Sequence, residues 1–446
     1  MNSFTHQTRF AAALSTCLML AFGPAHVATA AAYNVRELGA KGDGVTLDTA
    51  AIQRAFDNCK KNGGTVEFPP GTYLSQPLKI RSQTTIVLEP GATLLATTNQ
   101  SDFMKVPGDW LLAKSGSDFI PFITGSDLKD VTITGGGVID GNGAVWWGEA
   151  EKARQKKSGY TLPRPNLLVI QRSTNVRLEN ITLQNSPKFH FVPTECEGVV
   201  VSNVTVLAPA RAANTDAIDP SACKSVLITH CRIDVGDDNI AIKAGKKVAG
   251  REFACEDITV TDCTFLHGHG MSIGSETAGG VRNVTVKNCT FENTENGLRI
   301  KSTRGKGGLI ENISYSDITM SNVNPAITLT CSYANNSAGD TGQPAIADEA
   351  TKKSGKIPTY RNIYITNLTA TCPKEAGIIS GLPESPITEV VMENVQIHAK
   401  TGMVVKNASG IRFTNSSIAV EKGSNLITEN ATVEGLTPDT GLKSGK

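Results

Sequence analysis

The 446-residue chain is poor in aromatic side chains, with Phe, Trp and Tyr together at 5%. It also has almost no long helical periodicity, which leaves no room for crossover helices between neighbouring strands. No C-x-x-C pair occurs, so a structural zinc site is not expected, and neither a metal nor any other cofactor is called for. No sign of charge dominates, because 43 Lys and Arg face 42 Asp and Glu for a formal net charge of +1. That balance gives no reason to expect nucleic acid as a partner. Any affinity for a polyanion must come from local placement of cations. Past residue 30 no apolar run reaches membrane-spanning length, so the mature chain is expected to be soluble and free of the membrane.

The one long apolar run is N-terminal. Arg9 precedes the stretch from Phe10 to Phe22, and Ala28-Thr29-Ala30 follows it. A basic residue, a short apolar core and an A-x-A site describe an export signal over residues 1–30, with a mature chain starting near Ala31. The protein is therefore expected to be secreted, extracellular or periplasmic, where disulfides persist. Of the 10 cysteines, Cys17 leaves with the leader. An odd number then remains, and at least one must be unpaired.

What the mature chain does have is glycine, 42 in all, and one short recurring phrase. The phrase is Asn or Asp, an apolar residue, often Thr or Ser, then another apolar residue. It appears as Asn180-Ile181-Thr182, Asn203-Val204-Thr205, Asp257-Ile258-Thr259, Asn283-Val284-Thr285, Asn312-Ile313-Ser314 and Asn394-Val395, at intervals of about 21 to 32 residues. Self-similarity at such a period denotes a solenoid. Within each repeat apolar and polar residues alternate as in a strand, and Gly, Asn and Asp supply the positive φ of tight corners. The expected architecture is all-β, a right-handed parallel β-helix over residues 31–446 in a single domain. Cys231, Cys263 and Cys289 occupy the position taken by Ile181, Val204 or Leu368 elsewhere and are expected inside the coil as small apolar residues. The N-x-S/T tripeptides are the corner phrase itself, with glycosylation as the other reading. Asp48 is expected to cap a helix from about Thr49 to Cys59, with Ile52, Ala55 and Phe56 on one face, closing the open end of the solenoid. A polar insert around Ser332 to Thr359 is expected to form a loop beside the groove.

Four further phrases are spaced close to one coil apart. They are Asn214-Thr215-Asp216, Gly236-Asp237-Asp238, Gly268-His269-Gly270 and Arg299-Ile300-Lys301. Residues one coil apart lie above one another, so these side chains meet on one face within about 15 Å along the axis. Two or three carboxyls suit glycoside hydrolysis, in which one acid protonates the leaving oxygen and a second carboxylate activates water or attacks carbon. Crowding raises at least one pKa and keeps a proton available, and His269 is placed to hold it. Arg299 and Lys301, two apart on a strand, share a face and suit a sugar carboxylate. Asp237 and Asp238 are adjacent, so both reach the groove only if the chain bends there, as Gly236 allows.

These phrases resemble the glycoside hydrolase family 28 enzymes, specifically polygalacturonases of the bacterial pectin-degrading type. The resemblance rests on the runs Asn214 to Pro220, Gly236 to Lys243, Gly268 to Glu276 and Gly297 to Ser302, with Asn185-Ser186-Pro187 and Gly136 to Gly141 upstream. It covers nearly all of the mature chain. It implies an inverting hydrolase of polygalacturonate with Asp237 as general acid. Asp216 and Asp238 act on the attacking water, and His269 sits beside the acid. Arg299 and Lys301 are implied on the substrate carboxylate, with Tyr333 and Asn214 as further substrate-binding residues. Endo cleavage by a monomer is expected. Asp219 reads as structural, before Pro220, and Lys243 as either a substrate contact or a charge partner. Asn185 and His190 are candidates for a distal subsite, and Trp146 and Trp147 are expected to pack a loop. The alternatives are an exo-acting enzyme, a rhamnogalacturonan hydrolase, a calcium-dependent pectate lyase and a non-catalytic solenoid such as an adhesin.

Overall fold

The computed structural model describes residues 31–156, 162–245, 253–333 and 357–436. The proposed export signal, most of the polar insert and residues 437–446 lie outside the described residues. Every strand pairs in parallel with a strand of the next coil. One column of inward residues shows the principle. Val131, Val176, Val199, Val226, Ile258, Val284, Ile313, Ile363 and Val390 are register partners in succession. All nine are buried. The fold is the expected right-handed parallel β-helix, with a core that is a stack of rungs rather than a central globule. Each branched side chain covers the one below, which removes apolar area from water continuously along the axis.

The recurring Asn and Asp make the corners. Asn180, Asn203, Asp257, Asn283, Asn312, Asn362 and Asn394 all adopt φ between 51° and 57°. Asn and Asp tolerate this left-handed region better than other residues with a Cβ. Their side chains also bond along the stack: Asn203 Nδ2 donates to Asn180 Oδ1 at 2.7 Å, Asn283 to Asp257 at 3.0 Å and Asn312 to Asn283 at 3.2 Å. The amide of the Asn203 tripeptide is therefore a rung of a ladder.

The spacing departs from expectation at two coils. Asn175 reaches Asp130 across 45 residues and Asn362 reaches Asn312 across 50, against 21 to 29 elsewhere in the ladders. In both coils the strands on either side of the extra chain keep their register. In the first long coil the extra chain includes a helix that the sequence did not announce, α2 (Ala144–Lys156). Trp146 is buried in a cage of Phe103, Trp110 and Phe119, with ring centroids at 5.9, 4.9 and 5.9 Å. Trp147 donates to the Ser186 carbonyl at 3.1 Å. Both tryptophans pack the outer loops, as expected.

The capping helix, α1 (Thr49–Asn62), runs one turn beyond the expected end at Cys59 and stops at Gly63, where φ is 70°. It buries Ala51, Ile52, Ala55, Phe56 and Cys59. Asp48 precedes it but does not cap it. Its carboxylate instead accepts from the backbone N–H of Lys41 and Gly42 at 2.6 and 2.9 Å, tying down the preceding turn. All nine cysteines from Cys59 to Cys372 are buried and unpaired, including the three expected as core fillers.

Phe56 is the centre of the cap's apolar face, 6.5 Å from the Phe68 ring. Phe56→Ala should lower unfolding free energy by about 3–5 kcal/mol, read by urea denaturation. A loss under about 1 kcal/mol would mean that this face does not seal the stack.

Candidate active site

The strands Ile240–Ile242, Met271–Gly274, Leu298–Lys301 and Ile327–Thr330 lie side by side in register. Their inward residues Ile240, Ile242, Ile273, Leu298 and Ile300 fill the core. The outward ones, Ala241, Ser272 and Arg299, follow one another as partners, and Lys301 pairs with Gly274 and Thr330. Alternation thus places Arg299 and Lys301 on the outer face together.

Asp237 and Asp238 precede this sheet. The chain leaves the strand Arg232–Asp234, bends at Gly236 and Asp237, and re-enters at Ile240. A Cβ on Gly236 would stand 2.4 Å from the Ala212 carbonyl oxygen, so no other residue fits the approach. Off the strand, the two carboxylates escape the rule that neighbours face opposite ways. Three side chains lock the loops together. Thr215 Oγ accepts from Gly236 N–H at 2.9 Å and donates to the Ala212 carbonyl at 2.7 Å. Asn239 accepts from Gly270 N–H at 2.8 Å and donates to the His267 carbonyl at 2.9 Å. His190 binds the backbone of Asp216: its Nδ1 is 3.1 Å from that carbonyl and its Nε2 accepts from Ser186 N–H at 3.3 Å. Burial pushes His190 down to about 4, so the ring is neutral and donates through Nδ1. His190 is fully buried and supports the loop, so it does not line a distal subsite, whereas Asn185 is half-buried and donates to Asp140 at 3.1 Å.

The expected residues do converge. His269 Nδ1 stands 2.9 Å from Asp237 Oδ1 and 3.8 Å from Asp238 Oδ1, and its Nε2 lies 3.1 Å from Glu295 Oε2. Asp238 is wholly engaged. Its Oδ1 accepts from Arg299 and, at 2.9 Å, from Ser272 Oγ, and its Oδ2 accepts from Lys301 Nζ at 2.8 Å. Arg299 also donates to Ser272 Oγ at 2.9 Å. Tyr333 brings its ring centroid to 5.2 Å from Lys301 Nζ. Asn214, with φ at 55°, donates to Asp237 Oδ2 at 3.4 Å and accepts from Arg164 at 3.0 Å. Asp216 is 3% exposed, and Lys243 Nζ lies 3.2 Å from its Oδ2.

The electrostatics separate the acids. Burial, then the nearby Asp219 and Asp237, raise Asp216 well above the ordinary aspartate range. Burial also opposes ionisation of Asp237, but the His269 charge and hydrogen bond, with Lys301 and Arg299, outweigh it and hold that carboxyl low. Asp238 is likewise low, because Lys301 and Arg299 overcome its burial. His269 is pushed up to about 10, where Asp237 and Glu295 overcome desolvation. Without a ligand, then, the proton of the His269–Asp237 pair rests on the imidazole, and the carboxyl with the greatest proton affinity among the three is Asp216. Crowding was expected to raise one pKa; at Asp216 burial does most of this and the neighbouring carboxylates add to it.

Four residues of the site were not foreseen. Ser272 and Glu295 fall within or beside the recognised phrases, and their position one rung from Arg299 and His269 was available from the register. Asp219, read as a turn residue, lies 2.6 Å from Lys243 through its Oδ2. Arg164, 1% exposed, donates to the Ala213 carbonyl and to Asn214 from about 50 residues upstream. No phrase surrounds it.

Comparisons with known proteins agree in kind. The sequence profile of the glycosyl hydrolases family 28 matches residues 65–420. An endo-polygalacturonase of Pectobacterium carotovorum subsp. carotovorum is 34% identical over 381 residues, 83% of this chain and 88% of that protein. The structure of the polygalacturonase from Erwinia carotovora ssp. carotovora superposes with a TM-score of 0.71 at 29% identity, covering 91% of this chain and 97% of that one. An exopolygalacturonase from Thermotoga maritima superposes with a TM-score of 0.68 at 25% identity, covering 92% and 93%.

The His269 pair ties stability to pH. Its folded pKa of about 10 exceeds the ordinary 6.5, so its stabilisation is complete below about 6.5 and is lost as pH rises through about 10. Urea unfolding across that window should show a decline in stability that His269→Gln largely removes. Parallel declines in both proteins would mean that the imidazolium is not paired in the folded state.

Proposed function

From the premise that the chain belongs to glycosyl hydrolase family 28, we infer that it hydrolyses the α-1,4-galacturonosidic bonds of polygalacturonate, cutting within the polymer. The observation that carries this reading is the convergence of Asp216, Asp237, Asp238 and His269 beside Arg299 and Lys301 on one outer face of the β-helix. The 34% identity to a bacterial endo-acting relative supports the internal mode of cutting. Residues 1–30 act as the export signal, residues 31–446 as one catalytic domain, and the enzyme works outside the cytoplasm as a monomer. Among the described residues no helix is long and apolar enough to cross a membrane.

Asp237 is the general acid. In the free enzyme its proton rests on His269, 2.9 Å away. A substrate carboxylate taken up by Arg299 and Lys301, beside the Tyr333 ring, offsets the positive field that holds Asp237 ionised. Its proton affinity rises, the proton passes from His269, and Asp237 delivers it to the leaving oxygen. Asp216 is the base. Its raised pKa brings it towards working pH, where a proton acceptor is most effective. Asp238 has both oxygens engaged by two cations and a hydroxyl, which suits a fixed negative charge that orients water and steadies positive charge at the reacting carbon. The pair of Asp216 and Asp238 implied by the resemblance is thereby divided into an acceptor and an anchor. Water enters opposite the leaving group and configuration inverts.

Asp237→Asn should retain the fold and lose at least about 100-fold in turnover, the lower end of the range for general acid catalysis. Reducing-end release measures this, and near-normal turnover would remove Asp237 from the mechanism. Over time the wild type should yield a spread of oligomers from polygalacturonate. Monomer or dimer alone would establish end-trimming. Activity should persist in a chelator and give no unsaturated, ultraviolet-absorbing product. A calcium requirement with such a product would establish a lyase.

A further inference from the structure

Cations stand on both sides of the acid cluster. Arg299 and Lys301 lie against Asp238. On the opposite side Lys243, at the end of the strand Ile240–Ile242, has Ser221 as its register partner one coil back. That rung places its ammonium beneath two carboxylates. Nζ is 2.6 Å from Asp219 Oδ2 and 3.2 Å from Asp216 Oδ2, and the two acids are 1% and 3% exposed. The ring of Phe189 closes the apolar side, with its centroid 4.3 Å from Nζ. In both acids Oδ2 is bound, and Oδ1 is buried with no hydrogen-bond partner among the described residues. The pattern is therefore asymmetric, with one oxygen of Asp216 committed and the other enclosed and without a partner.

We propose that Lys243 is a positioning residue for the base: Asp219 fixes its ammonium, and the ammonium holds Asp216 as a carboxylate with Oδ2 occupied and Oδ1 turned to the attacking water. This rests on the assignment of Asp216 as base. The physical need is plain. Asp216 is faced by Asp219, Asp237 and Asp238, with Lys243 as the direct counter-cation and with Lys188 and Arg164 farther off. Two buried carboxylates without a cation between them retain a proton, and a protonated Asp216 cannot accept another. A cation given wholly to Asp216 would make it too weak a base. Division of the ammonium between two acids leaves Asp216 ionised yet of high proton affinity. Lys243 itself is held charged, because Asp219 and Asp216 outweigh its burial. Asp219 is pushed up to about 6 by burial, against the pull of Lys243.

The test is the acid limb of the kcat/KM profile on polygalacturonate, which reports ionisation of the base. Lys243→Met, close in volume and uncharged, should move the limb up by about one to three pH units. Lys243→Arg should leave it near the wild-type position. Asp219→Asn, which frees the ammonium for Asp216 and removes a like charge, should move it down. Opposite displacement by two members of one contact is not produced by simple loss of stability. If Lys243→Met fails to fold, the Asp219→Asn arm decides alone. A limb that stays in place in Asp219→Asn, or that moves up in both variants, overturns the inference. Near-normal turnover by Asp216→Asn would instead overturn the base assignment, and with it this role for Lys243.

Discussion

Register between stacked coils is the constraint on which everything else rests. The parallel ladder has a side-chain period of two, so a slip of one residue would turn Arg299 and Lys301 into the core and Leu298 and Ile300 out to solvent. Two devices prevent it. The inward column of branched residues from Val131 to Val390 would lose its burial, and the left-handed Asn and Asp corners would lose their side-chain ladder. Because the corners take φ values that few other residues accept, each coil is pinned at a turn as well as along its strands.

That rigidity permits an arrangement of charge that would otherwise be unfavourable. Asp216, Asp219 and Asp238 are almost wholly removed from water. Leaving one such group uncompensated costs on the order of several kcal/mol. The groove tolerates them because cations and acids interleave: Lys243 between Asp216 and Asp219, Arg299 and Lys301 on Asp238, and His269 on Asp237. The same interleaving leaves each buried acid with at least one cationic partner inside the groove.

Much of this was legible in the sequence because a solenoid is written in one dimension. The corner phrase named the coils, the alternation named the inward residues, and the four polar phrases fell on one face because their spacing matched the coil. What escaped depends on contacts that have no period. Arg164 reaches Asn214 from an outer loop, and the helix Ala144–Lys156 is held by aromatic packing around Trp146 rather than by an amphipathic stripe. Asp48 looked like a helix cap, but two backbone donors of a neighbouring turn competed successfully for its carboxylate. Lys243 was legible as a charge partner of the aspartates, and only its pairing with Asp219 escaped. Asp219 and Lys243 lie 24 residues apart, about one coil, and the stacking rule that brings Asp216, Asp237 and Asp238 together joins them as well. Asp219 stands before Pro220, where a carboxylate has an adequate local role in the turn, and that masks its long-range partner.

The two long coils carry a lesson about chain length. Asn312 and Asn362 still clasp across 50 residues, as Asn283 and Asn312 do across 29. Lengthening a closed loop by less than a doubling costs under about 0.6 kcal/mol in entropy. Extra sequence can thus enter between strands almost without penalty, while the rungs above and below keep their alignment. A fold built this way can lengthen the chain between strands while the rungs that bring the acids and cations together stay in line.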